Sequence, residues 1–283
     1  PYFKDNGEVR IKFPCFGQPK LNGFRVTARW EEVEEGEGMF KTKVGKVTFR
    51  SKEGLRYTIL EHIEADFHKE MFFPNDGIER VYDGEMYIHG EILSEISSAV
   101  RKRNPKTALL KFYIFDIAVE KIKQEDRIWD LQSLADYIHE SGKKNIVVVE
   151  TYTNIENNEQ AQSFTDECIK EGYEGAIFRD MKATYQFGKR AKTMVKLKRS
   201  QDKEFKIIDV VGGDNAPDLG IFVCRAENGE HFKVTPEGSH DVKKEYLTNR
   251  DSYIGKMLTV RFFERTKDDL PFHAVGIAVR DYE

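Results

Sequence analysis

The sequence predicts an α+β chain in two domains. Antiparallel sheets with helices packed outside them occupy residues 1–199, and a small β-barrel occupies 204–283. Three observations predict this. Before Arg199, strand-like alternation and helix-like periodicity mix without a strict strand–helix–strand rhythm, which favours antiparallel pairing. At "SQDKE" (200–204) the texture changes through a short polar stretch that reads as a hinge. Beyond Glu204, five strand-like runs and one helix fill about 80 residues, which suits a small closed barrel.

The elements follow in order. "FRVTARW" sends Phe24, Val26, Ala28 and Trp30 one way and Arg25, Thr27 and Arg29 the other, the mark of a half-buried strand. "KVTFRSKEGLRY" is a second strand running into a turn. "EILSEISSAVRK" places Ile92, Ile96 and Ala99/Val100 at helical spacing. "LLKFYIFDIA" is an aromatic, β-branched strand, and "LQSLADYIHESG" an amphipathic helix stopped by Gly142. "NIVVVETY" reads as one strand, "EQAQSFTDECIKEGYEG" as a helix ending in glycine, and "GAIFRD" and "TMVKLKR" as two strands. In the barrel the strands are "FKIIDVV", "GIFVCRA", "EHFKV", "MLTVRFF" and "AVGIAVRD". Glu-Asn-Gly-Glu joins the second to the third as a hairpin, and "DVKKEYLTN" is the helix. This content matches a barrel of the oligonucleotide-binding type.

Composition narrows the function. Of 283 residues, 33% are charged and 39% hydrophobic, as in a globular protein with real cores. No apolar run approaches a membrane span and none reads as a signal peptide, so an intracellular, cytoplasmic setting is expected. Cys15, Cys168 and Cys224 are odd in number and widely separated, which argues against a disulfide framework or a zinc site. The net charge of -4 means that any nucleic-acid contact must come from local patches.

Several short stretches could carry chemistry. In "FGQPKLNGFRV", Lys20 stands just before an Asn-Gly corner, either as a solvated lysine of an ordinary hairpin or as a nucleophile at a strand end. In "TMVKLKR" the pleat puts Lys196 and Lys198 on one face, as a lysine-guarded strand edge or as two ammonium groups aimed at phosphate. The run from Lys189 to Arg199 holds six basic residues and no acidic one. "YDGEMYI" sets Asp83 and Glu85 on one face, and Glu174 precedes a glycine and an apolar strand. Such carboxylates serve as turn residues, or hold a magnesium ion or a ribose hydroxyl. Phe115, beside Asp116, is either a core ring or a ring that stacks on a base.

Taken in order, these motifs resemble the covalent nucleotidyltransferases, and most closely the ATP-dependent DNA ligases in their minimal, phage-like form. Lys-x-Asn-Gly-x-Arg is followed by Asp-Gly-Glu, Phe-Asp, Glu-Gly before a strand, Lys-x-Lys and the barrel. The resemblance spans nearly the whole chain. It implies a nucleotidyltransferase (adenylation) domain followed by an OB-fold domain, and a monomer acting on ATP and nicked double-stranded DNA, in the cytoplasm of a host cell if phage-encoded. It makes Lys20 the acceptor of AMP, with Lys196 and Lys198 on the phosphates. Gln18 and Pro19 would line the adenine edge, with Leu21 also bordering the nucleotide. Arg25 would contact the ribose or the phosphate that follows, Glu85 and Glu174 would serve the ribose and the metal, and Phe115 would stack on the base. Glu174 and Glu85 would serve Mg²⁺, with Mn²⁺ as an alternative. The binder of the DNA 5′-phosphate is Arg50 or Lys52.

The chain departs from the family at Asn22, where an aspartate is usual, and at "PFHA" (271–274), where the family often has an arginine and a proline. Either Arg280 or Lys267 would then orient pyrophosphate, or the chain lacks that residue. With 19 residues before Lys20, no separate N-terminal DNA-binding domain is expected. A clamp of two domains closing about residues 199–204 would hold the duplex instead. Two alternatives stand beside this reading: an RNA ligase or mRNA-capping guanylyltransferase of the same chemistry, and a non-catalytic nick-binding module.

Overall fold

A computed structural model describes residues 10–36, 41–188, 191–198 and 200–281. The chain divides into two compact units, Pro1–Leu197 and Lys198–Glu283.

The first unit begins with β1 (Cys15–Lys20) and, three residues later, β2 (Phe24–Glu35). Then come β3 (Thr42–Arg50), β4 (Arg56–Tyr57), the short helices α1 (Glu61–Glu64) and α2 (Lys69–Phe72), and β5 (Tyr82–Tyr87). Next are α3 (Leu93–Arg101), β6 (Lys111–Ile117), α4 (Gln124–Glu140), β7 (Ile146–Val148) and β8 (Tyr152–Ile155). The unit closes with α5 (Asn158–Lys170), β9 (Gly175–Asp180) and β10 (Met194–Lys198). These strands form a six-stranded sheet, β4-β3-β2-β5-β6-β7, and a four-stranded sheet, β10-β9-β1-β8. β1 and β2 therefore lie in different sheets. The Asn-Gly corner between them is a crossing from one sheet to the other, not a hairpin.

Two glycines make the corner and the strand beside it possible. A Cβ on Gly23 would stand 2.7 Å from the carbonyl oxygen of Met86. A Cβ on Gly84 would run into the carbonyl oxygen of Tyr113 and meet the Phe112 ring at 2.6 Å. Gly84 thus lets β5 approach β6 between Asp83 and Glu85, where the register also shifts. The Asp-Gly-Glu sequence has its glycine for this steric reason.

The larger core packs under the six-stranded sheet. Phe67 meets Phe49, Phe72 and Phe112 at ring-centroid distances of 6.0, 5.3 and 6.2 Å. Aromatic pairs in such tilted and edge-on arrangements each contribute about 0.5–1.5 kcal/mol beyond their buried area. A second cluster beneath the four-stranded sheet contains Cys15, Phe164, Cys168, Phe178 and Val195. All three cysteines are free and buried.

Local expectations change in this unit. "NIVVVETY" is not one strand: it divides into β7, parallel to β6, and β8, antiparallel to β1. The six-stranded sheet is accordingly mixed rather than purely antiparallel. Helix α4 begins at Gln124, seven residues before the apolar run at Leu131 that announces it. Its first turn is occupied by Gln124 and Arg127, buried polar side chains that hydropathy cannot recognise as core.

The second unit is a closed five-stranded barrel, β11-β12-β13-β17-β14. Its strands are β11 (Gln201–Gly213), β12 (Ala216–Arg225), β13 (His231–Pro236), β14 (Met257–Phe262) and β17 (Val275–Arg280). Helix α6 (His240–Thr248) and a small two-stranded ribbon, β15 (Glu264–Arg265) with β16 (Pro271–Phe272), complete it. Phe205, Phe222, Phe232 and Phe262 fill its interior. The polar stretch read as a hinge is largely strand: Gln201, Asp202, Lys203 and Glu204 pair with Phe262, Arg261, Val260 and Thr259. Their polar side chains hide them from hydropathy, although an Arg261–Asp202 ion pair at 2.8 Å ties that strand end across the ladder.

Candidate active site

β1 delivers Lys20 to the point where the four-stranded sheet ends. It pairs with β9 from Cys15↔Asp180 through Gln18↔Ile177 to Lys20↔Gly175, whereas its pairing with β8 stops at Gly17↔Tyr152. The Lys20 ammonium forms an ion pair with the carboxylate of Glu174, and the two side chains are 12% and 6% exposed. Lys20 is thus neither a solvated hairpin lysine nor a free nucleophile. It is a mostly buried cation held by a mostly buried anion.

Pleating sends Gln18 to the same face as Lys20, and Gln18 is buried. Its Nε2 donates to the Phe115 carbonyl at 3.0 Å and to Thr151 Oγ1 at 2.9 Å. Its Oε1 accepts from Arg179 Nε at 2.9 Å. The Phe115 carbonyl can only accept and the guanidinium can only donate, so the amide orientation is fixed by chemistry. Pro19 points to the other face. With Leu21 it borders a cavity of about 270 Å³ that Val148, Glu150, Tyr152 and Tyr173 also line. The Leu21 side chain itself belongs to the larger core.

The six-stranded sheet contributes the facing groups. Arg25 lies opposite Glu85 in the β2–β5 ladder, two pairs along from Asp83, which lies opposite Thr27. It grips Asp83 with two hydrogen bonds, Nε to Oδ1 at 2.9 Å and Nη2 to Oδ2 at 2.6 Å. The Phe115 ring is half-buried and packs on the edge of the core rather than within it. The Arg25 and Arg179 guanidinium carbons stand 5.8 and 5.4 Å from its centroid.

Lys196 sits among these charges. Burial, its largest influence, lowers its pKa, and Arg25 and Arg179 add to that, while Glu85 and Asp83 pull the other way. Lys198 ends the same strand on the same pleat face, alternating with buried Val195 and Leu197. Of the basic run, Lys189, Arg190 and Arg199 lie outside the described residues. Arg50 pairs with Glu31 through Nε at 3.2 Å and Nη2 at 2.7 Å, and Lys52 lies exposed in the following turn. In the second unit, Arg280 Nε donates to Thr259 Oγ1 at 2.8 Å, and Lys267 lies between the two ribbon strands.

Beneath Phe115 lies a buried network of which the motifs announce only Asp116. Asp116 accepts from Arg127 Nε at 2.8 Å and from Arg179 Nη1 at 3.1 Å. Arg127 Nη2 also donates to Gln124 Oε1 at 2.6 Å. One carboxylate therefore holds two guanidinium groups, and the floor of the site is cationic. The sequence signal available for Arg179 was its place in the apolar strand "GAIFRD", where alternation puts it on the face of Ile177 and opposite Phe16.

The comparisons decide the family. Residues 11–198 match the model of the ATP dependent DNA ligase domain, and residues 212–280 match the DNA ligase OB-like domain. The chain belongs to the ATP-dependent DNA ligase family. The DNA ligase of African swine fever virus (isolate Tick/South Africa/Pretoriuskop Pr4/1996) is 27% identical over 288 aligned positions, covering 93% of this chain and 63% of the viral protein. The chain thus spans less than two thirds of that ligase's length. Among solved structures, one from a structure–function analysis of Lig E DNA ligases has a TM-score of 0.67 at 20% identity, covering 94% of this chain and 92% of that one. The ATP-dependent DNA ligase of bacteriophage T7, in complex with ATP, has a TM-score of 0.52 at 16% identity, covering 94% and 92%. These structures share the α+β fold of the ligase family, a nucleotidyltransferase domain followed by an OB-fold domain. Among the described residues no helix is long and apolar enough to cross a membrane.

Proposed function

We propose that the chain is a DNA ligase that seals 5′-phosphate/3′-hydroxyl nicks in duplex DNA through AMP carried on Lys20. The observation that carries this is the placement of Lys20 at the end of β1, paired with Glu174. It occurs within a chain whose first unit matches the ATP-dependent ligase domain. Residues 1–199 would perform the adenylation, and 204–283 would form the OB-fold domain.

Lys20 Nζ must lose a proton before it can attack the α-phosphate of ATP. In the resting chain that ammonium is hydrogen-bonded to Glu174 Oε2, so the pair must part or the proton must pass to that oxygen. The N–P bond then forms as the bond to pyrophosphate breaks. Lys196 and Lys198 would stand against the phosphate oxygens, where fixed cations stabilise developing negative charge. Arg25 and Glu85 would hold the ribose, and Phe115 the adenine, with Gln18, Pro19 and Leu21 along the base edge. AMP would pass to the DNA 5′-phosphate, held by Arg50 or Lys52, and the 3′-hydroxyl would displace it.

The residues present fit Mg²⁺ in the way nucleotide enzymes usually hold it. Among the described residues no group of three or more potential ligands is gathered. Magnesium, however, commonly takes one or two carboxylates and completes its shell with substrate phosphates and water. Glu174 and Glu85 would be those carboxylates, and Mn²⁺ suits the same oxygens. The ion would supply charge neutralisation at the phosphates.

The test is sealing of a nicked duplex bearing a labelled 5′-phosphate, alongside single-stranded RNA of the same sequence, with ATP and Mg²⁺. The expected result is ATP-dependent joining of the DNA nick and little joining of RNA. Preferential joining of RNA would move the assignment to an RNA ligase.

A further inference from the structure

Tyr185 lies in the segment between β9 and β10. Its hydroxyl donates to Asp83 Oδ2 at 2.7 Å. The same oxygen accepts from Arg25 Nη2 at 2.6 Å, and Arg25 Nε closes the second arm on Oδ1 at 2.9 Å. The Asp83 side chain is 1% exposed and that of Arg25 is 51% exposed. One buried carboxylate therefore takes three donors, and the arginine among them presents its remaining surface to solvent. The phenol is itself fixed through its ring. Phe187 lies 4.8 Å away by ring centroids, and the Arg127 guanidinium carbon lies 5.7 Å from the Tyr185 centroid. Arg127 is anchored in turn by Asp116. Tyr185 thus connects the buried Asp116–Arg127 pair to the exposed Arg25. Burial first, and then the Asp83 charge, push its pKa up, so the phenol remains a donor at neutral pH.

We propose that Tyr185 is a positioning residue: its hydroxyl fixes the Asp83 carboxylate, and through it the guanidinium of Arg25 that meets the nucleotide. This rests on the ligase reading above, in which Arg25 touches ATP. A carboxylate held by one arginine can turn with that arginine, and a third donor on Oδ2 removes this freedom. Small displacements of a substrate-orienting group are expensive, which gives the hydroxyl its leverage. Ring and hydroxyl act separately: the ring packs, and the hydroxyl positions. Tyr185→Phe removes one and keeps the other.

The experiment measures the rate of covalent AMP attachment as a function of ATP concentration for wild type, Tyr185→Phe and Tyr137→Phe. Tyr137 is an exposed tyrosine on α4 and serves as the control. For Tyr185→Phe we expect about a tenfold loss at limiting ATP, the size of one hydrogen bond to a charged group. The loss should appear as a raised KM, with less than about a twofold change at saturation and a melting temperature close to that of wild type. In an Asp83→Asn background the same substitution should have little further effect, because the relay is already cut. Tyr185→Phe equal to wild type overturns this inference alone. So does a loss that appears equally at saturating ATP together with a lower melting temperature, because that places the role in the fold. A wild-type chain that never takes AMP overturns the ligase reading and this inference with it.

Discussion

The backbone N–H of Glu174 donates to the carbonyl of Lys20 at 2.9 Å, and the Glu174 carboxylate holds the Lys20 ammonium. Two residues 154 positions apart are thereby joined twice, once by β-type pairing and once by charge. The backbone bond fixes where the two side chains start, so they meet without a long search through rotamers. The cost falls on chemistry, because the amine must leave this ion pair and give up a proton before it can attack.

Breaking that pair from one side should reveal its charge. Lys20→Met leaves the Glu174 carboxylate without its lysine at a largely buried position and should cost about 3–5 kcal/mol in urea unfolding. Adding Glu174→Gln should recover most of that loss, because the remaining group is then neutral. A double variant as unstable as the sum of the two singles would show that the ion pair is energetically idle.

Gly84→Ala tests the steric account of Asp-Gly-Glu. The new methyl would meet the Phe112 ring at 2.6 Å and the backbone of Tyr113, and neither the sheet nor a fully buried ring can retreat far. We expect a loss of about 1–3 kcal/mol, the range for overpacking. Adenylation should fall as well, because Asp83 and Glu85 flank the displaced residue. Thermal melting and AMP labelling read the two effects. Near-wild-type values in both would mean that β5 can shift away from β6 freely.

Much of this site was legible because its motifs coincide with strand ends and strand alternation. Lys20, Glu85, Phe115 and Glu174 all fall where alternation and turn signals place a side chain at an edge or on one face. The supporting groups were not legible, because each acts through a partner far away in sequence. Asp116 and Arg127 are 11 residues apart, Asp116 and Arg179 are 63 apart, and Tyr185 and Asp83 are 102 apart. No local pattern distinguishes a buried, paired arginine from a solvated one. The start of β11 was missed for a related reason: Gln201–Glu204 forms its strand with polar side chains, so neither apolar alternation nor a breaker marks it.

Lys196 gives a pH signature with a definite sign. Its pKa is lowered, chiefly by burial, so the fold disfavours its charged form. The penalty is fully present at neutral pH. It is relieved as pH rises toward the ordinary lysine value of 10.5, where the unfolded chain still holds a proton that the folded chain has lost. Lys196→Met should therefore be more stable than wild type at pH 7 while losing AMP attachment. The stability gap should narrow as pH rises. Urea titrations from neutral to alkaline pH measure it, and a gap that stays constant or widens would contradict the burial account.

The central claim is that Lys20 accepts AMP, and intact-mass spectrometry with peptide mapping tests it most directly. After incubation with ATP and Mg²⁺, the chain should gain the mass of one adenylyl group, located on the peptide containing Lys20 and absent from Lys20→Ala. A label that persists in Lys20→Ala, or that maps to Lys196 or any other residue, would contradict the account.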